Sequence, residues 1–146
     1  MRKCFSYALA ILSLSAFLAV TSLSGSASAR SFSSLAGLQD YLENTSPARS
    51  MAAGTHYVTI GGTILSITWA GQSNHYDMLI AVDDQEATKP IGADLPRLNV
   101  HFRLHREELP FQVGDAVTVY GTLNELYSSV IIPDVLAQYI NGSDEF

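Results

Sequence analysis

The stretch "HYVTIGGTILSITW", His56 to Trp69, decides the fold. It is rich in β-branched and aromatic residues, and from His56 onward the apolar period is two, which predicts a long strand. Gly61 and Gly62 interrupt it. Adjacent glycines inside a strand predict a bulge or a sharp bend, where a side chain would obstruct closure of a curved sheet. Downstream, "AGQSN" reads as the turn into a second strand, "HYDMLIAVDD". Gln85 to Pro96 is polar with two prolines and reads as a loop, and "RLNVHFRLH" is a third strand. "REELPFQVGD" makes a short connection to a fourth, "DAVTVYGTL", with Gly121 as a coil point. The run "SVIIPDVLAQYI" contains a fifth, where Pro133 predicts an edge position or a break in pairing.

Upstream the period changes. In "SFSSLAGLQDYLEN", Leu35, Leu38, Tyr41 and Leu42 follow helical spacing after Ser33 or Ser34 as cap, and Pro47 lies beyond the end. The fold class is therefore mainly β: a five-stranded OB-type barrel with one N-terminal helix. Pro110 and Gly114 leave no room for the helix that usually plugs such a barrel between its third and fourth strands, so the N-terminal helix is its substitute.

Residues 1–29 have the three-part pattern of a secretory signal peptide: Arg2 and Lys3, an apolar run from Ala8 to Val20, and Ala27-Ser28-Ala29 before cleavage. A membrane span needs about 20 apolar residues, more than this run supplies. Residues 30–55 are then helix and connector, and 56–146 the barrel, with a periplasmic or secreted location expected. Cys4 would be lost with the leader, leaving no cysteine for a disulfide or a thiolate. Removing Arg2 and Lys3 from eight basic residues leaves six against fourteen acidic ones, a net charge of −8 for the exported chain. Nucleic-acid binding draws on Lys and Arg at phosphates, so nucleic acid is a poor fit. A small polar or cationic ligand, or an envelope protein, fits better.

The order of parts resembles the bacterial OB-fold (BOF) family of small periplasmic proteins. The segments that carry the resemblance are "SLAGLQDYLEN" leading into "YVTIGGTILSI", and "FQVGDAVTVYGTLNEL" leading into "SSVIIPDVLAQYI". It implies a signal peptide, one helix, a barrel without the inter-strand helix, and a non-enzymatic role in envelope stress tolerance or small-ligand binding. The loop from Asp83 to Arg97 is long for the family, and the tail "NGSDEF" is acidic.

On the third strand Leu98, Val100, Phe102 and Leu104 alternate with Asn99, His101, Arg103 and His105. His101 and His105 project from one face, but four residues along a strand is about 13 Å. With zinc–nitrogen bonds of about 2.0–2.1 Å, that pair cannot share an ion. His75 on the neighbouring strand could supply a second ligand to one of them. A solvated face nevertheless ranks first, an anion or polar-ligand surface second and a metal site last, so neither metal nor cofactor is expected.

OB barrels bind across the outer face of their second and third strands. That makes His75, Asp77, His101, Arg103 and His105 the candidate ligand-binding residues, with Asp77 pairing with Arg103 or a histidine. Trp69 and Tyr76, bracketing the first turn, are candidates for stacking on a ligand or for closing the barrel end. "DDQE", Asp83 to Glu86, lacks the spaced oxygens of a calcium loop and reads as a solvated turn. Tyr57, Tyr120 and Tyr127 read as strand and rim packing. No catalytic constellation stands out. The sequence reads as an exported binding module, with an oligonucleotide-binding domain and a structural adaptor as the rivals.

Overall fold

The computed structural model describes residues 29–46, 54–104 and 109–141. Residues 1–28 of the 1–29 leader reading, most of the connector, His105 and the acidic tail beyond Asn141 lie outside them.

The barrel is built on one long strand. β1 (Ser31–Phe32) is followed by α1 (Leu35–Asn44), β2 (Tyr57–Ala70), β3 (His75–Ala81), β4 (Arg97–Phe102), β5 (Ala116–Leu123) and β6 (Asp134–Ile140). The sheet order is β1-β2-β3-β4-β6-β5, and a β2–β5 pairing closes it. Only β4–β6 and the short β1–β2 pairs are parallel. The five strands β2 to β6 thus form the expected OB-type barrel, and β1 is an addition that two residues gave no periodicity to reveal.

β2 serves both halves. Tyr57 to Thr63 pairs with β5, and Thr63 to Ala70 with β3, so the strand changes partners at Thr63. There β3 comes close: a Cβ on Gly62 would lie 2.5 Å from the Ala81 carbonyl oxygen. The expected bulge is displaced, since Gly61 and Gly62 stay in register with Thr118 and Val117 and the slip falls between Ile64 and Ser66. Gly121 marks a second slip, where a Cβ would stand 2.2 Å from the Leu136 carbonyl oxygen.

Pro133 is not within an edge strand. β6 begins one residue after it and is paired on both sides, while the Pro133 carbonyl accepts from the Asn99 N–H at 2.9 Å. A proline just before a strand leaves the ladder donors intact.

The core is the inward row of each strand, with Val58, Ile60, Met78, Ile80, Leu98, Val100, Phe102, Val119 and Val135 all at most 2% exposed. α1 joins it from one end. Ser34 caps the helix by accepting from the Gly37 N–H at 3.2 Å, and Leu35 and Leu38 are fully buried while Leu42 is half-buried. Burying each of those two leucines stabilises by about 1.5–3 kcal/mol, so the helix is a plug.

Polar bonds seat it. The buried Gln39 amide donates to the Thr88 and Ile131 carbonyls at 2.9 and 3.0 Å, and its oxygen accepts from the Thr88 N–H at 2.6 Å. Asp84 accepts from the Ala36 N–H at 2.9 Å, at the helix N-terminus. The "DDQE" turn is therefore more than solvated: one of its carboxylates anchors the plug, and the long loop is tied to the helix it crosses.

Candidate functional site

Alternation on β3 and β4 places His75, Asp77, Asn99 and His101 on the outer face. Asp77 is directly opposite His101 in the antiparallel ladder, and the parallel β6 brings Asp134 opposite Asn99.

These groups form one network. His101 Nε2 lies 2.5 Å from Asp134 Oδ2, and its Nδ1 is hydrogen-bonded to Asp77 Oδ1. His75 Nε2 approaches the same Asp77 oxygen at 2.8 Å. Asp134, 3% exposed, also accepts from Asn99 Nδ2 at 2.8 Å and Asn124 Nδ2 at 3.0 Å. A buried carboxylate is costly unless donors surround it, and three side chains supply them here. The ring centroids of His75 and His101 are 5.2 Å apart. Asp77 thus pairs with the two histidines rather than with Arg103.

A groove of about 810 Å3 opens beside this network, lined by His75, His101, Arg103, Asn124, Tyr127 and Gln138 among others. Tyr127 is 77% exposed on its wall, so it is not rim packing. His75, His101 and Arg103 meet there as expected. Trp69 and Tyr76 do not: they belong to an aromatic row at the barrel end, Trp69–Tyr76 at 4.7 Å between centroids, Tyr76–Phe102 at 5.3 Å and Phe102–Phe111 at 5.5 Å. They close the barrel, although Trp69 remains half exposed.

Asp134, Asn124 and Gln138 were missed by sequence reasoning. Their signal was the strand order itself, because in an OB barrel the last strand lies beside the third.

A second polar cluster sits under the plug. The Arg30 N–H donates to Nδ1 of the buried His56 at 3.2 Å, which places the proton of the neutral ring on Nε2, 2.8 Å from the Tyr41 hydroxyl. That hydroxyl donates to Glu125 Oε1 at 3.3 Å. Burial, then the charge of Glu125 and its hydrogen bond, push the Tyr41 phenol above its ordinary value against the opposing charge of Arg30. Among the described residues no buried side-chain nitrogen or oxygen lacks a partner.

Fold and face together define an OB-type barrel with a groove over β3, β4 and β6, in which Phe102, Leu136 and Ala137 lie beside the polar side chains. No protein-family profile matches the chain, and no curated protein matches it. Among solved structures it is similar to a lipoprotein from Klebsiella pneumoniae with a provisional nucleic acid-binding description. The two are 23% identical over 75% of this chain and 89% of that one, with a TM-score of 0.46. No helix among the described residues is long and apolar enough to cross a membrane.

Proposed function

We propose that the protein is an exported, non-enzymatic binding module of the bacterial OB-fold type that holds a small polar or cationic ligand over β3, β4 and β6. One observation carries this reading: the groove lies on the face that OB barrels use for ligands, and imidazole, guanidinium and amide groups converge in it. A periplasmic location follows from the leader pattern of residues 1–29, and a part in envelope stress tolerance from the family resemblance. Oligonucleotide binding has less support. Among the described residues Arg103 is the only Lys or Arg lining the groove, and the network at its head includes Asp77 and Asp134.

The test is NMR titration with polyamines, amino sugars and small carboxylates, and separately with a single-stranded oligonucleotide at low and physiological salt. Saturable shifts at His75, His101, Tyr127 and Gln138 with a small ligand are expected. Tight oligonucleotide binding that falls steeply with salt would overturn the reading in favour of the rival.

A further inference from the structure

Resting on the groove as a binding site, we propose that His75, Asp77 and His101 hold a divalent transition-metal ion at its head, with Asp134 as a positioning residue. The ligand atoms of the three residues lie within 4.8 Å of one another.

The hydrogen bonds say what is needed between them. In the metal-bound arrangement His101 gives its Nε2–H to Asp134, whose carboxylate also accepts from Asn99 and Asn124. That leaves Nδ1 of a neutral His101 with its lone pair toward Asp77 Oδ1, the oxygen that His75 Nε2 also faces. Two lone pairs that face each other need a cation between them, either a proton or a metal ion. A metal ion uses all three groups at once. A carboxylate on the far nitrogen of a ligating histidine is the usual support of such a site, fixing the tautomer and making the ring a better donor.

Two imidazoles and one carboxylate suit zinc, cobalt, nickel or copper, whereas calcium and magnesium take oxygen ligands. Bonds of about 2.0–2.1 Å in tetrahedral array set ligand atoms about 3.3 Å apart. His75 Nε2 and Asp77 Oδ1, now 2.8 Å apart, would separate by about half an ångström, and His101 Nδ1 and Asp77 Oδ1, which are closer, by more. The side chains of His75, Asp77 and His101 are 24, 40 and 20% exposed, so an ion enters from solvent and keeps an open coordination position for a groove ligand. Binding exchanges the proton between His101 Nδ1 and Asp77 for the ion, with no change of oxidation state.

The experiment titrates the chelator-stripped full chain with Zn2+ by calorimetry and with Co2+ by visible absorption. One equivalent is expected, with the visible bands of Co2+ in a low-coordinate nitrogen–oxygen site. His75→Gln and Asp77→Asn are expected to weaken Zn2+ at least tenfold while melting close to wild type. Asp134→Asn should weaken it by about 10–100-fold, the range for lost outer-sphere partners. If Asp134→Asn fails to fold, the His75 and Asp77 variants decide. No saturable uptake, or uptake indifferent to His75→Gln and Asp77→Asn, overturns the proposal. Groove ligands are titrated separately in EDTA: a polar ligand that binds there while Zn2+ does not removes the metal site alone. Zn2+ uptake without any polar-ligand binding removes the groove reading alone.

Discussion

Removing the Asp134 carboxylate should be among the most damaging single changes outside the apolar core. In Asp134→Ala three donors lose their acceptor: Asn99 Nδ2 at 2.8 Å, Asn124 Nδ2 at 3.0 Å and His101 Nε2 at 2.5 Å. A stranded buried donor costs about 1–3 kcal/mol. All three are part-buried and can draw some water, so each belongs at the low end. Relief of the carboxylate's own desolvation offsets part of the sum, and the expected loss is about 3–5 kcal/mol, the range for breaking a buried charged pair. The backbone bonds of Asp134 to Ser128 and Asn124 survive the change, so the native topology should too. Trp69 is the sole tryptophan and half exposed against Tyr76, which makes urea unfolding readable by fluorescence. A lower midpoint with an unchanged denaturant slope is expected. Asn99→Ala, tested alone and combined with Asp134→Ala, should show non-additivity of about 0.5–3 kcal/mol. A single-variant loss below about 1 kcal/mol, or strict additivity of the pair, would refute the view that these groups form one unit.

Three further outcomes are expected. Gly62→Ala should destabilise by about 1–3 kcal/mol, because its Cβ would meet the Ala81 carbonyl at 2.5 Å. Gly61→Ala, whose nearest contact is at 3.6 Å, should be tolerated; equal melting temperatures for the two would contradict the strand path. Leu38→Ala should cost about 2–5 kcal/mol by emptying the plug, and deleting Ser31 to Asn44 should leave an unstable barrel; calorimetric melts check both. Tyr41 holds its proton to higher pH in the folded than in the unfolded chain, so its contribution is fully present below about pH 10 and is lost as pH rises past it. The urea midpoint should therefore fall on the alkaline side, and Tyr41→Phe should flatten that fall.

Most of the fold was legible because period-two runs separated by turn residues determine where strands begin and end. The bulge was also visible in principle: buried Val58, Ile60 and Ile64 keep one phase, and Ile67 and Trp69 take the other, so the slip had to lie between them. Gly61 and Gly62 mark instead the place where closure leaves no room for a side chain, since a Cβ on Gly62 would meet the Ala81 carbonyl. Within the site, alternation placed His75, Asp77 and His101 on one face. It could not rank Asp134 above the other thirteen acidic residues, because a parallel pairing between distant segments has no local signature. Trp69 and Tyr76 stayed open between stacking on a ligand and closing the barrel end for a related reason: which role an aromatic takes depends on its cross-strand neighbours.

The Gln39 amide, bonded to Thr88 and Ile131, sets an order on biosynthesis. The segment that carries Leu35 and Leu38 is made early, yet one of its acceptors is supplied by Ile131, 92 residues further along the chain. The plug therefore reaches its full set of bonds only after the chain has extended through Ile131, just ahead of β6. A chain cut before Ile131 would lose that acceptor together with β6, the strand that joins β4 to β5, and would leave Leu35 and Leu38 facing an unclosed barrel.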